Sequence, residues 1–209
     1  MRILVLVPVV AFLLVGCGGG GSSESSGGSD GKGAMDCVIS GDKSKANLAD
    51  LDPDTTNNLV VSTNKGDFTI ELDVKGSPCT TASFAGLAKD GFFDGLVFHR
   101  IVPDFVIQGG DPAGNGTGGP GYSTVDTPAQ DTKYTKGVVA MAKTATEPPG
   151  TAGSQFFVVT AADAQLPPDY AVLGKVTDGL DVVEEIGRLG NAQEQPTEKV
   201  EIKSIKLSE

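Results

Sequence analysis

The chain carries one arginine and one glutamine in an otherwise largely apolar, extended stretch, Val97-Phe98-His99-Arg100-Ile101-Val102-Pro103-Asp104-Phe105-Val106-Ile107-Gln108-Gly109-Gly110-Asp111-Pro112. A guanidinium or amide among apolar neighbours is costly to bury unless its donors meet a partner. Two outcomes satisfy that demand. Arg100 pairs with a carboxylate and is structural, or it presents a permanent cation to a bound molecule with Gln108 beside it. In the second case the pair could stabilise charge in a bound molecule by hydrogen bonding. β-branched and aromatic residues on both sides of Pro103-Asp104 predict two strands joined by a turn. By alternation, His99 points away from Phe98 and Arg100, and Val106 and Gln108 share the face opposite Phe105 and Ile107.

Other chemistries find less support. There is one histidine, no C-x-x-C, no His/Asp cluster at metal-ligand spacing and no Walker lysine. A serine hydrolase would need a serine and an acid to converge on His99, which reads instead as a packed structural residue. Gly27-Gly28-Ser29-Asp30-Gly31 matches G-x-S-x-G, but no strand precedes it and no helix follows. Gly114-Asn115-Gly116-Thr117-Gly118-Gly119 matches the dinucleotide fingerprint, yet prolines at 112 and 120 bracket it and no helix N-terminus is available for a pyrophosphate. Glycines there suit a loop that lets an extended peptide approach its backbone.

A second stretch, Gly137-Val138-Val139-Ala140-Met141-Ala142-Lys143, is followed after an insertion by Gly153-Ser154-Gln155-Phe156-Phe157-Val158-Val159. With the first stretch, with Asn115 to Gly119 and with Tyr170 to Val176, these blocks resemble cyclophilin-type peptidyl-prolyl cis/trans isomerases over residues 58–207. The resemblance implies rotation of X-Pro bonds with Arg100 and Gln108 as the catalytic pair. It implies a proline pocket of Phe105, Val106, Phe157 and Leu166, with Ala142 and Lys143 gripping the preceding residue through backbone. Gly116 and Gln155 would lie along a neighbouring groove, and Tyr170 would stand where a histidine is common. Gln165 occupies a position that is an indole in many relatives, which weakens an expectation of tight cyclosporin binding. No cofactor is implied. The partners would be proline-containing polypeptides, and a non-catalytic peptide-binding chaperone or adaptor on the same barrel is the rival reading.

The elements that must hold these residues read as mainly β. Residues 59–63 and 68–73 form a hairpin turning at 64–67, and 138–141, 155–160, 171–176 and 200–207 supply further strands. Parity changes between Ile202 and Ile205, which predicts a bulge. Ser77-Pro78 opens a helix, with serine as cap and Phe84, Leu87 and Ala88 on its inner face, ending at Asp90-Gly91. Residues 179–186 form the second helix, with Val182, Val183 and Ile186 inward. Residues 36–57 read as an irregular lead-in and 122–134 as polar and turn-rich. Many strands with two short helices predict a closed antiparallel β-barrel, since closure removes exposed edges, and the resemblance to cyclophilins implies eight strands with a helix capping each end. The isomerase-like domain spans 58–209.

Of 209 residues, 39% are hydrophobic, and the net charge is -11. That sign disfavours nucleic acid and anionic lipid surfaces. Residues 1–16 read as an export signal, with Arg2 before an apolar run too short to span a bilayer. Leu14-Val15-Gly16-Cys17 resembles a bacterial lipobox, so Cys17 is the expected lipidation site and residues 17–35 a Gly/Ser-rich linker. The expected protein is extracytoplasmic and membrane-anchored through that lipid, and is read as a monomer, although nothing in the sequence names its oligomeric state. Cys37 and Cys79 are then an even pair in an oxidising compartment, either bridged or two buried thiols.

Overall fold

The structure is a computed structural model that describes residues 36–208. The signal segment, the lipidation site at Cys17 and the linker lie outside the described residues. From the lead-in onward the strands are β1 (Ser40–Gly41), β2 (Asn58–Thr63), β3 (Gly66–Leu72), β4 (Arg100–Val102), β5 (Val106–Gly109) and β6 (Tyr122–Val125). They continue with β7 (Val138–Met141), β8 (Thr151–Ala152), β9 (Phe156–Val159), β10 (Val172–Asp178) and β11 (Ile202–Ser208). Helix α1 is Pro78–Lys89 and helix α2 is Leu180–Gly187. Neither described helix is long and apolar enough to cross a membrane.

Eight strands form one antiparallel sheet in the order β11-β2-β3-β10-β7-β9-β5-β4. It curls but stays open, which corrects the closed barrel. The edge strand β4 is only three residues long, and its free side is taken by a loop rather than by β11. The Ile101 N–H donates to the Glu194 carbonyl at 2.9 Å, and a Cβ on Gly190 would come within 2.5 Å of the Ile101 carbonyl oxygen. The flanks of the opening meet through an isolated bridge, Val97 to Glu201, and the backbone hydrogen bonds around it, not through a β4–β11 ladder. Covering an edge in this way protects it as closure would.

The sheet's inner face carries the main core. Leu59, Val61, Phe68, Ile70, Ile101, Ile107, Val139, Val158 and Leu173 alternate inward, and Phe84, Phe93, Phe98 and Phe156 stack among them. Phe98 and Ile101 are both buried in this core, whereas Arg100 faces outward. Strict alternation therefore fails between Phe98 and Arg100, and that shift frees Arg100 for the outer face. The predicted bulge near the C-terminus is present, as a register shift between Ile202 and Ser204. The β2–β3 hairpin is tighter than expected, with Thr63 opposite Gly66 and only Asn64-Lys65 between them.

Helix α1 is buried from Cys79 to Ala88, on every side rather than along one stripe. The lead-in covers its outer face: the Ala49 N–H donates to the Ala82 carbonyl at 2.9 Å, and a Cβ at position 86 would sit 1.7 Å from the Asn47 carbonyl oxygen. Only glycine allows that approach. Ser77 does not cap the helix through its side chain. The Thr80 N–H is met instead by Asp126 Oδ2 at 2.6 Å.

The lead-in and the 122–134 segment are more ordered than their composition predicts. Ser40 and Gly41 pair with Ser123 and Tyr122, and β8 completes a small sheet in the order β1-β6-β8. Cys37 and Cys79 are bridged, with Cα atoms 5.5 Å apart. The disulfide ties the lead-in to the first turn of α1.

Candidate functional site

The outer face of the sheet carries a second, smaller apolar cluster: Val106, Tyr134, Ala140, Phe157 and Val159, with Phe105, Ala142, Leu166 and Tyr170 packed against it. A hollow of about 230 Å³ opens in this cluster, lined by Arg100, Phe105, Val106, Gln108, Ala142, Lys143, Phe157, Leu166 and Tyr170. Gly116 and Gln155 line a larger neighbouring groove of about 670 Å³, which shares Gln108, Ala142 and Lys143 with the hollow. All eleven residues singled out in the sequence for catalysis or peptide binding thus border one of two adjoining cavities.

Register explains the meeting of Arg100 and Gln108. They stand directly opposite in the β4–β5 ladder, as Val102 and Val106 do, and opposed residues share a face. Arg100 Nη1 donates to Gln108 Oε1 at 3.3 Å, and Arg100 Nε donates to Glu194 Oε2 at 2.7 Å. The arginine side chain remains 35% exposed. A guanidinium has five N–H donors, so these contacts leave others directed toward the hollow or solvent. Glu194 was not singled out in the sequence. It sits in the loop that covers the β4 edge, and an acidic residue in a polar loop carries no periodic signal.

A chain of amides links the two cavities. Gln108 Nε2 donates to Gln155 Oε1 at 3.1 Å, and Gln155 Nε2 donates to the carbonyls of Gly116 and Gly118 at 3.1 and 2.9 Å. The glycine-rich loop is held by Asp111, whose carboxylate accepts from the N–H groups of Ala113, Asn115 and Gly116. Burial raises the affinity of that carboxyl for a proton, but the three backbone donors outweigh it and hold its pKa below the ordinary value.

Phe105 reaches the hollow by a route that alternation misses. It lies in the turn rather than in β5, because Asp104 has φ +56° and the Phe105 N–H closes onto the Val102 carbonyl at 3.1 Å. The Phe105 carbonyl in turn accepts from Thr160 and Ala161. On the opposite wall, Phe157 and Tyr170 meet edge to face at 5.5 Å. Behind them Tyr134 is buried, its hydroxyl donating to the Tyr170 carbonyl at 2.7 Å and accepting from the Tyr170 N–H at 3.0 Å. Tyr134 is thus a second residue missed in the sequence, one that fixes a wall without lining the cavity.

His99 takes no part in the hollow. Both ring nitrogens are buried without a hydrogen-bond partner among the described residues. Burial lowers its pKa, with Asp111 opposing that shift and Arg100 adding to it. Ser154 is buried and donates its hydroxyl to the Gly110 carbonyl at 2.7 Å, so no serine–histidine couple forms here. Ser29 lies outside the described residues. The described residues hold no group of three or more His, Cys, Asp or Glu placed to bind a metal.

The lead-in enters the site as well, because Ser40 and Gly41 line the groove. So do Thr144 and Glu147 of the 143–153 insertion.

Residues 58–207 match the family described as cyclophilin type peptidyl-prolyl cis-trans isomerase/CLD. The chain is 39% identical over 162 residues to a mouse protein named peptidyl-prolyl cis-trans isomerase-like 1, covering 74% of this chain and 96% of that one. It is 37% identical over 145 residues to an Arabidopsis thaliana peptidyl-prolyl cis-trans isomerase, covering 68% and 85%. A crystal structure of a Cryptosporidium parvum cyclophilin type peptidyl-prolyl cis-trans isomerase superposes with a TM-score of 0.67 at 28% identity, over 74% of this chain and 99% of that one. The same parasite enzyme, solved in the presence of the dipeptide Ala-Pro, gives a TM-score of 0.65.

Proposed function

The chain belongs to the cyclophilin-type peptidyl-prolyl cis-trans isomerases, and from that membership we propose that Arg100 drives the rotation by hydrogen bonding to the proline nitrogen in the Phe105–Phe157 hollow. The amide resonance of an X-Pro bond sets a barrier of about 18–20 kcal/mol. As the bond twists, conjugation is lost and the nitrogen lone pair becomes available. A cationic donor held against that nitrogen favours the twisted form over either planar one.

Lowering relaxation from tens of seconds to milliseconds needs roughly 10⁴-fold, or about 5.5 kcal/mol. One charge-assisted hydrogen bond nets about 1.5–3 kcal/mol. The remainder comes from holding the peptide on both sides of the proline and excluding water. Phe105, Val106, Phe157 and Leu166 receive the ring, Tyr170 closes the wall, and Gln108 orients Arg100 and meets the substrate carbonyl. The residue before proline runs past the backbone at Ala142 and Lys143 toward the groove bordered by Gly116 and Gln155.

The observation that carries this reading is a guanidinium at the rim of an apolar hollow with N–H groups left over after Glu194 and Gln108 are served. The substrates we propose are exported polypeptides, met outside the cytoplasm by a monomer tethered through lipidated Cys17. The lipobox resemblance and the Cys37–Cys79 bridge support that placement.

A proline-peptide isomerisation assay tests the mechanism. The purified chain accelerates relaxation, and Arg100→Ala lowers kcat/KM by roughly 10²-fold, about 2.7 kcal/mol, with thermal stability retained. An inactive parent chain would leave peptide binding without catalysis as the surviving reading.

A further inference from the structure

Lys143 stands where the two cavities meet. With Gln108 and Ala142 it is one of three residues lining both the hollow and the groove, so a peptide whose proline fills the hollow passes it on entering the groove. Its ammonium donates to the carbonyls of Thr144 and Glu147 at 3.3 and 3.1 Å and rests 5.6 Å from the centroid of the Tyr170 ring. These partners fix the position of the charge without neutralising it.

The nearby acid is engaged elsewhere. Glu147 Oε2 accepts from the Thr144 N–H at 2.6 Å and from the Thr144 hydroxyl at 2.8 Å. Among the described residues no carboxylate comes within salt-bridge distance of Lys143. Its backbone N–H likewise has no partner among the described residues. The preceding N–H, at Ala142, is spent on the Gln155 carbonyl, and successive N–H groups of an extended chain point to opposite edges. An unused donor and an unpaired cation therefore sit together on the path from hollow to groove.

We propose that Lys143 makes this isomerase select substrates with a carboxylate on the residue preceding proline. The ammonium forms the ion pair with that Asp or Glu, while the Lys143 N–H takes a carbonyl of the same peptide as a strand-like contact. The inference rests on the isomerase reading above and names its substrate class. It runs against the protein's global field, because a net charge of -11 repels acidic peptides at long range. A preference for acid must then be local to this residue. For a half-buried pair the expected gain is about three- to fivefold in kcat/KM.

The test compares peptides identical except for Glu, Gln, Lys or Ala before proline, in a protease-free assay at low and high salt. The expected order places Glu-Pro above Gln-Pro by that factor and Lys-Pro lowest, with the spread shrinking at high salt. In Lys143→Gln the Glu/Gln ratio falls to about one, and Lys143→Arg restores it. A ratio of one in the parent, or a ratio that survives Lys143→Gln, overturns the proposal while leaving the isomerase reading intact. A preference that appears only when the acid follows proline also overturns it. Absence of turnover on every peptide would instead sink the isomerase reading, and this inference with it.

Discussion

Arg100 and Glu194, far apart in sequence, meet through Nε and Oε2 at 2.7 Å at the open edge of the sheet. The loop that supplies Glu194 is the one that covers the edge of β4, since the Glu194 carbonyl accepts the Ile101 N–H while its backbone holds φ +62°. One segment thus protects the edge and sets the direction of the cation. Had the barrel closed at β4, no loop would lie beside Arg100.

The pair is half exposed, so it contributes about 0–1 kcal/mol to stability, and its value lies in orientation. Glu194→Gln is expected to leave the melting temperature nearly unchanged and to lower kcat by roughly fivefold, about 1 kcal/mol, with KM moving less. A rise in kcat would show that the carboxylate restrains the cation instead of aiming it.

The disulfide invites a stability prediction. Cys37 and Cys79 are separated by 42 positions, and the chain-entropy treatment gives about 4 kcal/mol for closing such a loop. Denaturant titration of the Cys37→Ser/Cys79→Ser variant should show about that loss. Ser40 and Gly41 border the groove, so the same variant is expected to raise KM for long peptides more than for short ones. Equal changes for both lengths would separate the lead-in from substrate binding.

Which features could be read from sequence follows from their range. Arg100 and Gln108 lie on the two arms of one predicted hairpin, so the sequence brings them near each other, while their direct opposition comes from the register of the β4–β5 ladder. Phe105 escapes that period because Asp104 turns left-handed, and nothing in Pro103-Asp104 alone specifies that. Ser40 and Gly41 form a strand of two residues, too short for any alternation, and its order comes from the bridge and from β6. Glu194 and Tyr134 act through tertiary contacts, and neither stands in a pattern. The open edge escapes the sequence for a related reason: alternation predicts strands but does not say whether the first and last will pair or be covered.

His99 is the chain's one histidine, so its ring protons can be followed without ambiguity. Burial holds its pKa below 6.5 in the folded state. Protonation therefore favours the unfolded chain: the contribution to stability is complete above pH 6.5 and is lost as pH falls toward the folded value. NMR titration should place the midpoint below 6.5, and urea should move it up to the ordinary value. A folded midpoint at or above 6.5 would mean that Asp111 dominates the site.

Tyr134 lets the wall of the hollow be loosened without touching its lining. Burial pushes its phenol up to about 12, with the hydrogen bond it accepts from the Tyr170 N–H opposing that shift. The folded pKa exceeds the ordinary value of 10, so the phenol's contribution is complete below pH 10 and is lost as pH rises through about 12. Tyr134→Phe removes both links to the Tyr170 backbone and should cost about 1–3 kcal/mol at neutral pH, while reducing the alkaline loss seen in the parent. Because Tyr170 then holds its place by ring packing against Phe157 and the ring at position 134 and by the Lys143 ammonium over its face, with no hydrogen bond from residue 134, KM should rise for every proline peptide, whatever residue precedes the proline. A variant with parental KM and an unchanged alkaline limb would show that the Tyr170 wall is set by the Pro167-Pro168 turn before it, and not by the phenol behind it.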